Sequence, residues 1–240
     1  MAIVQARMTS TRLPGKVLAD ICGKPALRRM LERVLRAKRL DAVAVATTVN
    51  ATDDPVEKLC RDLGVSVFRG DEPDVLGRYC GAAGQFGADV IVRLTADCPM
   101  IEPTVIDEAV ELFQKGAWDY VSNTLIRTYP IGLDVEVFSR AALERAAREA
   151  DHPDLREHVT LYINGKRPHL PHGQFSLCQV TFDADFSHIR WTVDTAEDLE
   201  RVRRFYAVLP ETFTWLEALA AATRQPELLC GPTVRDDAGH

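Results

Sequence analysis

The side chains best suited to chemistry lie in the first sixteen residues of the chain. A short apolar stretch, Ile3 to Gln5, runs directly into a segment from Ala6 to Lys16 that carries Arg7, Arg12 and three hydroxyl side chains. Such a loop after a strand offers backbone N–H groups, two guanidinium groups and one ammonium group to a polyphosphate. The formal net charge of the chain is −6, so this local positive charge is not its general composition. We therefore predict a phosphate-binding loop rather than an ordinary solvated basic loop.

Two aspartates follow later apolar runs, and both could bind a metal ion. Asp97 comes shortly after the β-branched run Val90 to Leu94, and Asp194 directly follows Ile189 to Val193. Open α/β sheets bind ligands at the carboxyl ends of their strands, and Mg²⁺ prefers hard carboxylate and phosphate oxygens. We predict that the two aspartates share one Mg²⁺ with a phosphate group. The alternative for Asp97 is a cap of the turn at Pro99.

An α/β framework must position these residues, because short β-branched runs alternate with longer amphipathic stretches. Extended segments are predicted at 2–5, 42–46, 65–68, 90–94, 118–122, 133–138, 178–182 and 189–193. Helices are predicted at 25–38, 53–63, 74–86, 103–115, 139–150, 154–164, 195–209 and 215–223, with an exposed loop or arm at 165–176. Glu197 and Asp198 lie in the first turn of a predicted helix, where acids stabilise the positive end, and we interpret them as structural.

Composition predicts one domain over residues 1–230 and a flexible tail over 231–240, because 46% hydrophobic content in 240 residues can bury a full core. The negative charge, and the lack of basic runs interleaved with aromatic residues, argue against a nucleic-acid partner. Six scattered cysteines without a CxxC pair suit a reducing compartment. Because neither a secretion signal nor a long apolar run is visible, we predict a cytoplasmic protein without a membrane span.

Several ordered motifs resemble those of the sugar-acid cytidylyltransferases, which make CMP-activated Kdo and sialic acids. The opening motif is Ala6-Arg7-x-x-Ser10-x-Arg12-Leu13-Pro14-Gly15-Lys16. Five further motifs are similar to those of the spore coat polysaccharide biosynthesis protein F branch of this family. In chain order they are Asp74-Val75-Leu76-x-Arg78-Tyr79, Val92-Arg93-x-Thr95-Ala96-Asp97-Cys98-Pro99, Asp119-Tyr120-Val121-Ser122-Asn123, Arg156-Glu157-His158-Val159-Thr160 and Trp191-Thr192-Val193-Asp194. The resemblance covers roughly residues 2–209. It implies a three-layer α/β/α nucleotide-diphospho-sugar transferase fold, Rossmann-like, with a mostly parallel mixed sheet.

The same resemblance implies attack by a sugar hydroxyl on the α-phosphorus of CTP, which releases pyrophosphate and forms a CMP-sugar for a cell-surface or spore-coat polysaccharide. Lys16 and Arg12 would stabilise the departing pyrophosphate, and Asp97 and Asp194 would hold the Mg²⁺ cofactor. The residues implied to contact the nucleotide are Ala6, Arg7, Ser10, Arg12, Lys16, Arg78 and Thr95. A homodimer is also implied, formed through the arm around residues 165–182.

The acidic sugar would meet residues from the middle of the chain, namely Tyr129, Asp134, Glu136, Arg156 and His158. A lone histidine is more often structural, but Arg156 and Glu157 beside His158 favour a role in binding a carboxylate substrate. Glu136 is equally explicable as an exposed strand residue. The sequence departs from the family pattern near the proposed base site. Thr95-Ala96-Asp97-Cys98-Pro99 stands where Kdo relatives carry Gln-Gly-Asp-Glu-Pro, so side chains that help to recognise cytosine are absent from this stretch.

Three other interpretations fit the sequence less well. A glycosyltransferase using a nucleotide sugar shares the general fold, but the acidic stretch at 70–74 contains no Asp-x-Asp motif. A P-loop phosphotransferase is disfavoured because Gly15 and Gly23-Lys24 are too far apart for GxxxxGK, and Pro25 replaces the Ser or Thr. A non-catalytic nucleotide-binding module would tolerate loss of Lys16 and of both aspartates, yet all three residues are present.

Overall fold

The computed structural model describes residues 1–229, and the predicted flexible tail at 231–240 lies outside them. The strands are β1 (Ala2–Gln5), β2 (Asp20–Ile21), β3 (Lys24–Pro25), β4 (Val43–Thr48), β5 (Ser66–Gly70), β6 (Val90–Thr95), β7 (Tyr120–Ser122), β8 (Glu136–Ser139) and β9 (Leu177–Gln179). The helices are α1 (Ala26–Val34), α2 (Asp54–Asp62), α3 (Val75–Phe86), α4 (Pro103–Lys115), α5 (Arg140–Glu149), α6 (Pro153–Glu157), α7 (Leu161–Asn164), α8 (Ala196–Val208) and α9 (Trp215–Arg224). Short 3-10 helices span Lys16–Leu18, Ala51–Asp53 and Pro226–Leu228.

Seven of these strands form one mixed sheet in the order β5-β4-β1-β6-β8-β7-β9. Only β8 runs against its neighbours, and β2 and β3 form a separate hairpin. In the register of the sheet, Gln5 at the end of β1 lies opposite Ala46 of β4 and Thr95 of β6. Because these three strands are parallel, the loops that follow them start side by side at one edge of the sheet.

Two hydrophobic cores, one on each face of the sheet, make the fold a three-layer α/β/α arrangement. In β1, Ala2 and Val4 belong to the core beneath α1, α4, α8 and α9, whereas Ile3 belongs to the core beneath α3 and α5. Successive side chains of a strand point to opposite faces, so the apolar strands predicted from the sequence are buried on both sides. The predicted fold class is confirmed. Within residues 1–229, no helix is both long enough and apolar enough to cross a membrane.

The predicted helix at 154–164 is wrong, because the segment divides into α6 and α7. Buried Val159 between them has a φ of 31°, a left-handed conformation that strains a β-branched residue and interrupts the helix. The interruption leaves His158 at the end of α6, outside any continuous helical face.

The predicted strand at 189–193 is also wrong. This segment is extended, but it is linked by an isolated bridge between Ile131 and Arg190 and is no strand of the sheet. Its backbone forms hydrogen bonds with residues of two loops instead. The Trp191 N–H donates to the Ile131 carbonyl over 2.7 Å, and the Val193 N–H donates to the Asp97 carbonyl over 2.8 Å. Three other strands are shorter than predicted, since β7 begins only at Tyr120, β8 begins only at Glu136 and β9 ends at Gln179.

Candidate active site

A cleft of about 250 Å³ lies at the carboxyl ends of β1 and β6. Its walls include every residue predicted to contact a nucleotide, which are Ala6, Arg7, Ser10, Arg12, Lys16, Arg78 and Thr95. Asp97, Asp194 and His158 line the same cleft. The fold therefore brings together residues that are far apart in the sequence, and the loop after β1 meets Thr95 and Asp97 because β1 and β6 are parallel neighbours.

The loop after β1 is closed by backbone hydrogen bonds around Met8. The carbonyl of Met8 accepts hydrogen bonds from the N–H groups of Ser10, over 3.0 Å, and Gly15, over 2.9 Å. Gly15 has a φ of 73°, which side chains with a Cβ rarely adopt, and it directly precedes the 3-10 helix that starts with Lys16. The Pro-Gly pair of the sequence thus reverses the chain and delivers Lys16 to the cleft.

Lys16 lies between the two aspartates that are predicted to bind a metal ion. Its Nζ donates to Asp194 Oδ1 over 2.8 Å and to the Val193 carbonyl over 2.9 Å, and it is 3.5 Å from Asp97 Oδ2. The side chains of Lys16 and Asp194 are only 13% and 10% exposed, so this ion pair is weakly screened by solvent. Asp97 and Asp194, which are predicted to share a metal ion, both contact Lys16.

Three cations surround Asp194. Besides Lys16, Arg12 approaches its Oδ1 to 2.8 Å, and Arg190 donates to its Oδ2. Burial alone would raise the pKa of Asp194, but the hydrogen bond and charge of Lys16, with the charges of Arg12 and Arg190, outweigh it and hold this pKa below its usual value. Asp194 is therefore ionised and available to bind a cation at neutral pH.

Asp194 reaches the cleft from the start of α8 rather than from the end of a sheet strand. Asp198 fixes that start, because its side chain accepts hydrogen bonds from the N–H groups of Asp194 and Thr195 at 3.1 Å each. Asp198 and Thr195 form a capping box, and Asp198 also pairs with Arg201. The structural interpretation of Asp198 is thereby confirmed.

The chemistry of the donor set fits Mg²⁺. Asp97 and Asp194 supply hard carboxylate oxygens next to a basic loop suited to phosphate, and Mg²⁺ is commonly bound by one or two carboxylates together with phosphate oxygens. Within residues 1–229, no group of three or more His, Cys, Asp or Glu residues is arranged to hold a metal ion by itself. Water molecules and phosphate oxygens would supply the remaining ligands of a Mg²⁺ ion held by the two aspartates.

A second cavity of about 250 Å³ adjoins the cleft and shares Arg93, Thr95 and His158 with it. Its other charged lining residues are Arg127, Asp134, Glu136, Lys166 and Arg167. Burial lowers the pKa of His158, which sits where the two cavities meet, and the charges of Arg167 and Arg93 lower it further, while Glu157 opposes them.

Glu136 lines this second cavity, but it is buried rather than exposed. It pairs with Arg93 and accepts hydrogen bonds from the hydroxyls of Tyr120 and Thr160, each over 2.6 Å. Burial would raise the pKa of Glu136, yet the charge of Arg93 outweighs it and keeps this pKa below its ordinary value. The interpretation of Glu136 as an exposed strand residue is wrong, because β8 lies inside the sheet between β6 and β7.

Two predicted acceptor residues are not brought to either cavity. Tyr129 is 2% exposed, packs against Phe182 and Trp215, and donates from its hydroxyl to Glu108 over 3.0 Å. Arg156 makes two hydrogen bonds to Asp74, of 2.9 and 2.6 Å, which join α6 to the start of α3. In this structure both residues support packing rather than lining the site.

Arg93, Arg127 and Lys166 line the site but are absent from the residues predicted for it. For Arg93 a signal was available, since it is the one charge within the apolar run Val90 to Leu94, where a cation in a central strand requires a partner. Arg127 and Lys166 come from loops whose position depends on the whole fold. No local pattern could have assigned them.

These observations agree with a comparison with known proteins. The family model described as cytidylyltransferase matches residues 1–225. The chain belongs to the cytidylyltransferase family. Membership makes the protein a nucleotidyltransferase, and it confirms the resemblance inferred from the opening loop and the later motifs.

Relatives within this family extend over most of the chain. Spore coat polysaccharide biosynthesis protein SpsF of Bacillus subtilis is 37% identical over 85% of both chains. A 3-deoxy-manno-octulosonate cytidylyltransferase of Anaeromyxobacter dehalogenans strain 2CP-1 is 30% identical over 85% of this chain and 96% of its own length. An uncharacterized protein of Methanocaldococcus jannaschii, MJ1063, is 44% identical over 68% of this chain, and this match spans 66% of that protein, just under two thirds.

A solved structure has the same fold over nearly the full length. The cytidylyltransferase from Leptospira borgpetersenii serovar Hardjo-bovis superimposes with a TM-score of 0.90 at 33% identity and covers 97% of both chains. The nucleotide-diphospho-sugar transferase fold implied by the motifs is thereby confirmed.

Proposed function

We propose that the protein transfers CMP from CTP to a sugar acid in a Mg²⁺-dependent reaction that releases pyrophosphate, for the synthesis of a cell-surface or spore-coat polysaccharide. The observation that carries the proposal is the convergence of Arg12 and Lys16 with Asp97 and Asp194 in one cleft. Family membership supplies the reaction class, and the relatives named for spore-coat and octulosonate chemistry support an acidic sugar as acceptor.

The residues of the cleft account for transfer by positioning and charge. Lys16 and Arg12 would bind the β- and γ-phosphates and stabilise the charge that develops on the leaving pyrophosphate. Arg7 and the N–H groups of the loop would hold the rest of the triphosphate. Asp97 and Asp194 would hold a divalent ion, which would supply neutralisation of phosphate charge near the α-phosphorus.

The second cavity is the proposed site for the acceptor. Lys166 donates from Nζ to the Thr124 carbonyl and, within residues 1–229, has no carboxylate partner within 4.0 Å. Arg127, in contrast, is paired with Asp134 by two hydrogen bonds. An unpaired ammonium favours an acidic substrate, because a bound carboxylate would supply its missing counter-charge. His158 would face both substrates from the junction of the two cavities.

A screen of pyrophosphate release tests the proposed function. Purified protein with Mg²⁺, one of four nucleoside triphosphates and a panel of sugar acids should release pyrophosphate with CTP, and mass spectrometry should detect a CMP-sugar. Neutral sugars of equal size serve as the control, since they lack the carboxylate that the second cavity favours. Absence of pyrophosphate and of any nucleotide-sugar product across the whole panel would contradict the proposal.

We further propose that the enzyme works in the cytoplasm as a homodimer. The five cysteines in the described part of the chain are free, which suits a reducing compartment. Strand β9 lies at the edge of the sheet and exposes Leu177, within the segment around residues 165–182 that is predicted to mediate dimerisation. Sedimentation velocity should give about twice the mass of the chain, and a monomer at micromolar concentration would contradict the dimer.

A further inference from the structure

Asp53 is completely buried in the short 3-10 helix after β4, and the proposed chemistry does not use it. Its Oδ1 accepts a hydrogen bond from the Met8 N–H over 2.8 Å. Its Oδ2 accepts from the hydroxyls of Thr47 and Thr48, over 2.9 and 2.6 Å, and from the Thr48 N–H over 3.1 Å. Burial would raise the pKa of Asp53, but these hydrogen bonds outweigh it and keep the pKa low. The group is therefore a carboxylate that accepts four hydrogen bonds.

Met8 is the residue whose backbone groups close the phosphate-binding loop. Its carbonyl accepts hydrogen bonds from Ser10 and Gly15, near the two ends of the loop, while its N–H is the group that Asp53 holds. Three of the four donors to Asp53 come from the end of β4, which is the parallel neighbour of β1. Asp53 thus links the loop after one strand to the end of the next strand.

The contacts that Arg7 and Thr9 of the loop make with Glu72 are more exposed and therefore weaker. Arg7 is 3.6 Å from Glu72, and their side chains are 39% and 28% exposed. The hydroxyl of Thr9 donates to the same Glu72 at the surface. Solvent-exposed pairs of this kind contribute little, whereas a buried carboxylate that accepts backbone N–H groups is costly to disrupt. Asp194 is also buried, but it contacts side chains of the loop, Arg12 and Lys16, whereas Asp53 accepts a backbone N–H of the loop.

We propose that Asp53 is a positioning residue that holds the loop from Ala6 to Lys16 in its nucleotide-binding conformation. Asp53 does not line the cleft, and its hydrogen bond to the nucleotide-binding loop is the one from the Met8 N–H. A loop that is ordered before binding spares the nucleotide the entropic cost of ordering it, which strengthens binding of the substrate and of the transition state alike. This inference rests on the proposed function insofar as the ligand of the loop is a nucleoside triphosphate.

Asp53→Asn is the sharpest variant, because it keeps the shape of the side chain and replaces one acceptor oxygen by an NH₂ group. Hydroxyls of Thr47 and Thr48 can rotate to accept from that NH₂, but the N–H groups of Met8 and Thr48 cannot. The carbonyl oxygen of the asparagine is best placed toward the three donors of β4, which leaves the NH₂ facing the Met8 N–H. The substitution should therefore release the loop and keep the anchor to β4.

Two measurements follow. Hydrogen exchange of ligand-free protein should accelerate at least about tenfold for the amides of Met8, Ser10 and Gly15 in Asp53→Asn. In steady-state kinetics the KM for CTP should rise about tenfold while kcat changes less than about threefold, because a loss of preordering affects substrate and transition state equally. Thr47→Val removes one hydroxyl donor to Asp53 with little change in side-chain volume. It should raise the exchange rates of the same amides and the KM for CTP, each by a smaller factor than Asp53→Asn.

Asp107→Asn is the matched control. Asp107 on α4 accepts hydrogen bonds from the N–H groups of Lys38 and Arg39, over 3.0 and 2.7 Å, so it also holds a loop through backbone donors. Neither Asp107 nor the two residues that it holds line the cleft. In the Asp107→Asn variant, the amide hydrogen-exchange rates of residues 8–16 and the KM for CTP should match those of the wild type. Unchanged exchange at Met8 and Gly15 in both Asp53→Asn and Thr47→Val would overturn the anchor, even if no nucleotide is a substrate. Faster exchange with an unchanged KM and unchanged CTP affinity by calorimetry would overturn the positioning role.

Discussion

Asp97→Asn should lower the turnover number by about two to three orders of magnitude, because it removes a hard carboxylate ligand from the site proposed for Mg²⁺. The change should hardly affect folding. The Asp97 side chain is 27% exposed, and its one ion pair, with Lys16, is 3.5 Å long. The backbone role of the residue, in which its carbonyl accepts the Val193 N–H, does not depend on the side chain. Single-turnover release of pyrophosphate measures the effect, and urea denaturation measures the stability.

Asp89→Asn provides a control at the other end of the same strand. Asp89 directly precedes β6 and is exposed, whereas Asp97 follows β6 in the cleft. The control variant should keep wild-type turnover and the same Mg²⁺ requirement. If Asp97→Asn also turned over at the wild-type rate with an unchanged Mg²⁺ dependence, Asp97 would have no part in the mechanism, and the turn-capping interpretation would be correct.

Lys16→Met should reduce kcat about a hundredfold or more, because it removes a cation that would stabilise the charge developing on the leaving pyrophosphate. The methionine keeps much of the apolar stem of the lysine. Asp194 would still be paired with Arg12 and Arg190, so the loss of stability should be smaller than for a carboxylate left without any partner. Stopped-flow measurement of pyrophosphate release and thermal denaturation separate the two effects.

The same variant has a second consequence that a merely weakened phosphate site would not produce. Lys16 is in contact with both aspartates, so its removal takes a positive charge away from the site proposed for the metal ion. Lys16→Met should therefore bind Mn²⁺ more tightly than the wild type in the absence of nucleotide, as measured by electron paramagnetic resonance. Arg28→Met, which removes a cation that pairs with Glu32 on the surface of α1, should leave both kcat and Mn²⁺ binding unchanged. Weaker Mn²⁺ binding by Lys16→Met would contradict a shared site for the lysine and the metal ion.

The sequence predicts the nucleotide half of the site well, because its signals are local. Arg12, Pro14, Gly15 and Lys16 lie within one loop, and a left-handed glycine before a lysine has few structural alternatives. The apolar run that ends before Asp97 is long enough to be recognised as a central strand, and the end of such a strand is a binding position in most open α/β sheets. Residue order and side-chain type are therefore sufficient to place the loop and Asp97 at the same edge of the sheet.

The acceptor half is predicted less well, because its residues are positioned by tertiary contacts. Arg156 carries the right charge, but Asp74, 82 residues away in sequence, accepts two of its hydrogen bonds, and the carbonyls of Ala147 and Ala150 accept others. Tyr129 lies in an aromatic cluster with Trp215, which no short-range pattern could have revealed. Conversely, Lys166 comes from a segment predicted only as an exposed arm. In the structure Lys166 lines the second cavity, and its Nζ donates to the Thr124 carbonyl.

The sequence by itself determined the layered α/β architecture, the positive charge of the loop from Ala6 to Lys16 and the carboxylate chemistry of Asp97 and Asp194. These properties follow from side-chain type and from periods of two and 3.6 residues, which are local. Only the tertiary structure decided that Lys16 lies between the two aspartates and that buried Asp53 accepts the Met8 N–H of the loop. Each of these contacts joins residues at least 45 positions apart, so it exists only once the parallel strands have aligned the ends of their loops.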